Sequence, residues 1–268
     1  MDHSGMAIRQ AHRCSHSDGM NNSASFEERL RSIRGRIAAA ADRSRRDPSE
    51  IRLIAVSKGQ QVERIRIAIA AGLRDLGENY LEEAEPKILA LPDPVTWHMI
   101  GHVQSRKARG VVDRFPFVHS VDGVALAQRL SRFAAERGIT LRVLLECNLS
   151  GESTKFGFAA ADPSSRTAVL REWERIFPLP GLAVVGLMTM APFSDDPENA
   201  RPVFRGLREL RDAARAAYPE SIGPELSMGM TDDFEPAVEE GATMLRIGRA
   251  LFGPRPTAPN PGFAGLMI

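Results

Sequence analysis

The chain alternates short apolar runs with longer segments whose apolar positions recur every three or four residues. Continuous or alternating apolar runs of four to eight residues mark strands, and the 3.6-residue period marks helices. Leu30, Ile33 and Ile37 share helical spacing between Phe26 and Arg43, and arginines fill the opposite side. This predicts an opening helix whose basic face is a solvated surface. Strands are then predicted at Ile51–Ser57, Arg74–Gly77, Thr96–Gly101, Phe117–Val121, Leu141–Asn148, Leu182–Thr189, Glu225–Met228 and Met244–Gly248. Helices fall between them over Val62–Ala71, Tyr80–Leu91, Ser105–Asp113 and Val124–Arg137, up to Phe177, up to Tyr218, and over Asp232–Glu240. Asp196-Pro197 places an N-cap before a first-turn proline for the sixth-to-seventh crossover.

About eight strand–helix units in roughly 230 residues is the size and rhythm of a (β/α)8 TIM barrel. A doubly wound open sheet is the runner-up, weaker because no G-x-G-x-x-G turn follows a strand. Residues 1–24, rich in His, Ser, Asn and Gly, read as a disordered leader, 25–253 as the barrel with its extra N-terminal helix, and 254–268 as a flexible tail. His12, Cys14 and His16 alternate in the leader, but such spacing in an unfolded segment presents no formed metal site, so no metal is expected.

Composition narrows the partners. The 268 residues are 43% hydrophobic and 26% charged, with a formal net charge of +1, which asks for neither nucleic acid nor an anionic membrane. No run approaches the length of a membrane span, and the leader has no apolar stretch for a signal peptide. Two cysteines, Cys14 and Cys147, do not make a disulfide framework. A cytoplasmic location is the default expectation.

In a barrel, ligand-binding groups sit at the C-terminal ends of the strands. Those ends carry Lys58; Asn79; His98, His102 and Gln104; His119; Asn148; Thr189; Ser227 and Gly229; and Arg246, Gly248 and Arg249. Lysine at such a place can capture a carbonyl compound as a Schiff base. Loops after the seventh and eighth strands often seat phosphate, using free N–H groups at a helix start. Ser227 offers a hydroxyl there, Gly229 a close backbone approach, and Gly248 and Arg249 open the last helix. A phosphate seat facing Lys58 predicts a phosphorylated carbonyl compound, either a sugar phosphate or pyridoxal phosphate (PLP).

The strings IRLIAVSKGQ, LGENYLEEAEPKI, WHMIGHVQSRKARGV, VHSVD, VLLECNLSGESTKFGF, GLMTMAPF and ELSMGMTDDFEPAVEEGATMLRIGRALFG run in this order from about Phe26 to Gly253. Together they resemble the pyridoxal phosphate homeostasis proteins, single-domain relatives of the alanine racemase barrel. The resemblance implies that Lys58 holds the cofactor as a Schiff base, with Asn79 beside it. It implies Ser227 and the backbone N–H groups of Gly248 and Arg249 on the phosphate, and Arg246 facing the pyridine nitrogen. Two departures stand out. Gly59-Gln60-Gln61 replaces a common Thr-Lys-Pro run, and Arg249 stands where many relatives have a small hydroxyl residue.

Arginine can only donate, so the ring nitrogen opposite Arg246 stays unprotonated and the ring is a weaker electron sink. Racemases of the related fold add a tyrosine acid–base from a partner's second domain. Here the only tyrosines are Tyr80, expected to pack, and Tyr218, expected to be remote. The implied function is a non-catalytic, monomeric PLP carrier that buffers the cofactor or delivers it to PLP-dependent apoenzymes. A weak amino-acid racemase is the rival reading, and a Schiff-base aldolase the third.

Overall fold

A computed structural model describes residues 14–91, 94–152 and 154–254, with side chains in the first helix described from residue 25. Eight parallel strands close into a barrel: β1 (Arg52–Val56), β2 (Asp75–Glu78), β3 (Thr96–Met99), β4 (Phe117–Val121), β5 (Leu141–Asn148), β7 (Leu182–Met188), β8 (Glu225–Ser227) and β9 (Met244–Ile247). A two-residue strand, β6 (Phe158–Ala159), lies outside this ring beside the end of β5. The sheet runs β4-β3-β2-β1-β9-β8-β7-β5, and the β4–β5 pairing joins its two edges. Closure removes the free edges that a sheet would otherwise expose. The predicted TIM barrel is the observed fold.

Helices α2 (Val62–Ala70), α3 (Leu81–Ala90), α4 (Ala108–Arg114), α5 (Val124–Glu136), α6 (Pro163–Trp173), α7 (Arg201–Ala217), α8 (Phe234–Glu239) and α9 (Arg249–Phe252) follow the strands. Among the described residues, buried side chains form two groups. The larger lies between strands and helices, with Trp173, Phe204, Leu207, Phe234 and Phe252 among its members. The smaller, Ile54, Phe117, Leu144, Met188 and Met244, plugs the barrel interior. Inward-facing positions of β1, β4, β5, β7 and β9 supply that plug, so the barrel is a packed core and not a pore.

The opening helix α1 (Cys14–Arg43) starts within the stretch expected to be a disordered leader. Residues 1–13 and the expected tail from 255 onward lie outside the described residues, as does His12. Helix extension adds one hydrogen bond per residue once a nucleus exists, so the anchored segment can carry the polar turns before it. That anchor is the buried row Phe26, Leu30, Ile33, Ile37, Ala40 and Ala41. Phe26 meets Phe252 with ring centroids 5.5 Å apart. The basic face is not merely solvated: Arg36 and Arg43 pair with Glu235 and Glu239 of α8, and Arg46 donates to the carbonyls of Val238 and Ala242. α1 therefore packs across both α8 and α9.

Two other boundaries differ from expectation. α6 stops at Trp173 and the chain turns through Phe177, because Pro178 disfavours helical geometry in the residue before it. The Asp196 carboxylate caps Glu198 N–H at 3.0 Å, as expected, but the first turn, Pro197–Ala200, is a 3-10 segment before α7 begins.

Candidate functional site

Sheet order brings the two chain ends of the barrel together. β1 lies between β2 and β9, with Val56 paired to Gly77 and Ala55 to Ile247. The strand ends carrying Asn79, Lys58, Arg246–Arg249 and Ser227 are therefore four neighbours around one arc of the rim. The strand ends expected to seat phosphate, those of β8 and β9, therefore lie on the same side of the rim as the end of β1 and not across the mouth from it. A Cβ on Gly248 would stand 3.5 Å from the Val56 carbonyl oxygen, two residues from Lys58. Lys58 is half-buried in the turn that follows β1.

That turn rests on a buried charged cluster. Lys87 of α3 donates to Ser57 O at 2.8 Å, Glu78 Oε1 at 2.7 Å and Glu83 Oε1 at 2.7 Å, matching its three N–H donors to three acceptors. Ser57 Oγ also donates to Glu78 Oε1 at 2.6 Å, and Gly59 N–H donates to Glu83. Burial pushes the Glu78 carboxyl above its ordinary value, with Lys87 opposing. Residues on both sides of Lys58 are thus hydrogen-bonded to one ammonium-centred network.

Arg246 is buried inside the barrel mouth and donates from Nη1 to Ser227 Oγ at 2.6 Å and from Nη2 to Thr189 O at 2.9 Å. Burial lowers its pKa to about 10, with Asp233 and Glu146 acting the other way, so it remains a cation at neutral pH. Ser227 is wholly buried, and its hydroxyl also bonds His119 Nδ1 at 2.8 Å. His119 Nε2 meets His98 Nδ1 at 3.0 Å, and His98 Nε2 meets Asp75 Oδ1 at 2.9 Å. Desolvation lowers the pKa of His98 and drives that of His119 well below the ordinary imidazole value.

These contacts bear on three of the residues expected at the site. Ser227, expected at the phosphate, has its hydroxyl between Arg246 and His119. Gly229, at φ +91°, supplies a turn, and its carbonyl accepts from Arg246 N–H at 3.0 Å. A Cβ there would lie 2.6 Å from that of Ala237, so its small size serves packing of α8. The exposed Arg249 guanidinium pairs with Asp232, which leaves its backbone as the group oriented by the helix start.

Sequence reasoning missed two residues. Thr231 Oγ1 accepts from Ala250 N–H at 3.3 Å, placing a hydroxyl beside Gly248 and Arg249. Its signal was a hydroxyl two residues after the positive-φ glycine of Ser227-Met228-Gly229-Met230-Thr231. Glu146, near the end of β5, is almost fully buried, and desolvation together with Asp122 raises its carboxyl to about 7 while Arg246 opposes. An acid directly after the apolar run Val143-Leu144-Leu145 was the available sign.

The remaining strand ends build the rim. Asn79 is half-buried and lines a cavity of about 680 Å3 with Tyr80, Met99, Gly101, His102 and Lys107. Tyr80 is 61% exposed there, where packing was expected. Tyr218 is remote, as expected, donating to Glu174 at the end of α7. His102 bonds Asp122 at 3.0 Å and stacks on Phe156 at 4.0 Å. Asn148 ties the following loop, donating to Glu152 O and accepting from Ser150 and Gly151. Among the described residues no cluster of His, Cys, Asp and Glu could hold a metal, and no helix is long and apolar enough to cross a membrane.

The donor set fits PLP: an amine on β1's end, a cationic donor on β9, and a hydroxyl with backbone N–H groups at the rim between β8 and α9. Comparisons with known proteins agree with that chemistry. The family profile "Alanine racemase, N-terminal domain" matches residues 29–256. A relative from Aquifex aeolicus, named pyridoxal phosphate homeostasis protein, is 40% identical over 230 residues, covering 85% of this chain and 97% of its own. The structure of PipY from Synechococcus elongatus with PLP bound superposes with a TM-score of 0.72 at 36% identity, covering 85% of this chain and 100% of that one. Alanine racemase from Corynebacterium glutamicum shares the fold, with a TM-score of 0.65 at 19% identity over 89% of this chain and 63% of that one. The chain belongs to the pyridoxal phosphate homeostasis protein family, built on the alanine racemase N-terminal barrel.

Proposed function

We propose that this protein binds pyridoxal 5'-phosphate reversibly at the barrel mouth and holds it for release, without a dedicated turnover of its own. The observation that carries the reading is the adjacency of β1 and β9, which brings the turn carrying Lys58 next to the strand end that carries buried Arg246. Bound there, PLP supplies an aldehyde that condenses with a primary amine and a ring that withdraws electrons. Lys58 provides the amine, Arg246 a permanent donor to the ring nitrogen, and Asn79 an amide at the adjoining strand end. Thr231 and the backbone N–H groups of Gly248 and Arg249 receive the phosphate. The relatives' shared name and the PLP-bound PipY structure support the same cofactor.

Custody is favoured over catalysis by Arg246, because a donor that never gives up its proton leaves the ring nitrogen unprotonated. Delivery to PLP-dependent apoenzymes, a monomeric state and a cytoplasmic setting belong to the same proposal. The purified protein mixed with PLP should develop an absorbance band that borohydride reduction fixes to the chain and that Lys58→Ala abolishes. No band at saturating PLP sinks the proposal. The racemase reading has one observation in its favour, the exposed Tyr80 at the rim. Exchange of an amino acid's α-hydrogen in deuterated water, lost in both Lys58→Ala and Tyr80→Phe, would favour it.

A further inference from the structure

A continuous run of hydrogen bonds crosses the barrel interior from Arg246 through Ser227, His119 and His98 to Asp75. It begins at the C-terminal ends of β8 and β9 and finishes at the first residue of β2, on the opposite face of the barrel. Every intermediate group is buried: Ser227, His119 and His98 are each 0% exposed. The two ends fix the direction of the terminal bonds. A guanidinium can only donate, and an ionised carboxylate can only accept.

With those limits, and with both imidazoles kept neutral by burial, one proton arrangement satisfies the whole run. Arg246 Nη1–H donates to Ser227 Oγ, whose own proton goes to His119 Nδ1. His119 Nε2–H then donates to His98 Nδ1, and His98 Nε2–H to Asp75. Both imidazoles are neutral and both carry their proton on Nε2. A cationic His119 would turn a second donor toward Ser227 beside the Arg246 charge, and burial already disfavours that charge. Phe117 stacks on His98 at 4.7 Å and holds its plane. The charges packed around the far end are those of Arg52, whose Nε lies 3.9 Å from Asp75, and Arg142, over Phe117 at 4.2 Å.

We infer that Asp75, His98, His119 and Ser227 form a positioning chain that fixes the tautomers of both histidines and thereby the orientation of the Arg246 guanidinium toward the cofactor. This rests on Arg246 facing the PLP ring, the reading proposed above. Asp75 is the informative member, because it lies at the far end of the barrel and touches nothing at the mouth. Chains of buried hydrogen bonds polarise one another, so a change at one end is felt at the other.

Two experiments separate the chain from the reading it rests on. Nitrogen-15 NMR of the histidine-labelled protein at pH 7, with and without PLP, should show both buried imidazoles neutral and protonated on Nε2. A cation, or an Nδ1–H tautomer at either ring, overturns the chain whatever the cofactor does, and no variant has to fold for this result. The second is a double-mutant cycle on PLP affinity, read by absorbance titration, with folding of each variant checked by circular dichroism. Asp75→Asn should weaken binding about fivefold, the size expected from one disturbed buried hydrogen bond. It should add nothing in an Arg246→Gln background, where the chain has lost its terminus. An equal loss in both backgrounds marks Asp75 as merely structural and overturns the inference. If Arg246→Gln alone binds PLP as tightly as the parent protein, the ring-facing role of Arg246 fails instead. Should Asp75→Asn fail to fold, Ser227→Ala replaces it in the same cycle with the same two outcomes; should Arg246→Gln fail to fold, the NMR result alone decides.

Discussion

Lys87 Nζ stands 2.7 Å from Glu78 Oε1 under the Lys58 turn, while Glu78 Oε2 has no hydrogen-bond partner among the described residues. Both side chains are buried, so their worth depends on each other. Removing one partner of a buried pair leaves an uncompensated charge and costs about 3–5 kcal/mol. Lys87→Met should therefore destabilise strongly, and Glu78→Gln in the same chain should restore part of the loss.

The deficit in Lys87→Met should also depend on pH. Without the ammonium, the Glu78 carboxyl, already raised by burial, rises further and is protonated in the folded chain. A folded state that holds a proton the unfolded chain has released loses stability as pH rises through the interval between the two values. Denaturant midpoints at pH 5 and pH 8 should show a larger penalty at pH 8. A penalty that shrinks with pH would contradict the buried-pair account.

Glu146 gives a second pH signature from a different cause. Its carboxyl is raised to about 7, chiefly by desolvation. Between the unfolded value of about 4.3 and 7, the folded protein binds the extra proton, so stability falls as pH climbs through that window. The full penalty above it amounts to at most about 4 kcal/mol. Glu146→Gln should match the parent near pH 5 and exceed it in stability near pH 8.5, as read by chemical denaturation. Equal stability of the two proteins at both pH values would show that Glu146 ionises normally.

How much of this was legible beforehand depends on whether a residue acts through its own strand or through a neighbour's. The strand–helix alternation follows from side-chain periods, so β4 and β5 are found at the bounds read from the sequence. Lys58, Asn79 and Arg246 are recognisable as rim or mouth residues because each follows or occupies a strand end. The contact of Ser227 with His119 of β4, 108 residues earlier, could not be read from the sequence, because only closure of the barrel supplies that partner. Lys87 was invisible for the same reason: it reads as one more helical lysine, and burial under the Lys58 turn is a tertiary fact. That the end of β9 lies beside the end of β1 likewise required knowing that the first and last strands pair.

Gly101 tests how tightly the rim is set. A Cβ at this position would fall 2.3 Å from the Asn79 carbonyl oxygen, a backbone atom with no rotamer to relieve the clash. Gly101→Ala should destabilise by about 1–3 kcal/mol, the usual cost of forcing an extra carbon into packed structure. It should also weaken PLP binding by moving Asn79. Unchanged thermal stability and affinity would mean that the third strand end yields freely.

Thr231 and Arg249 make opposite predictions at the phosphate seat. Thr231 Oγ1 accepts from Ala250 N–H, which aims its hydroxyl at the start of α9. Arg249 carries its guanidinium to Asp232 on the exposed surface, so only its backbone N–H remains for the ligand. Thr231→Val removes the hydroxyl with little change of shape, and a hydrogen bond to a charged acceptor is worth about 1.5–3 kcal/mol. PLP affinity should drop by about tenfold or more. Binding of pyridoxal, which has the aldehyde and ring but no phosphate, should hardly change in the same variant. Arg249→Ala leaves the backbone in place and breaks an exposed ion pair of about 0–1 kcal/mol, so both ligands should bind nearly as before. Parallel titrations of the three proteins with PLP and pyridoxal decide the matter. An equal loss for both ligands in Thr231→Val would place the threonine away from the phosphate, and a selective loss of PLP in Arg249→Ala would return that role to the arginine side chain.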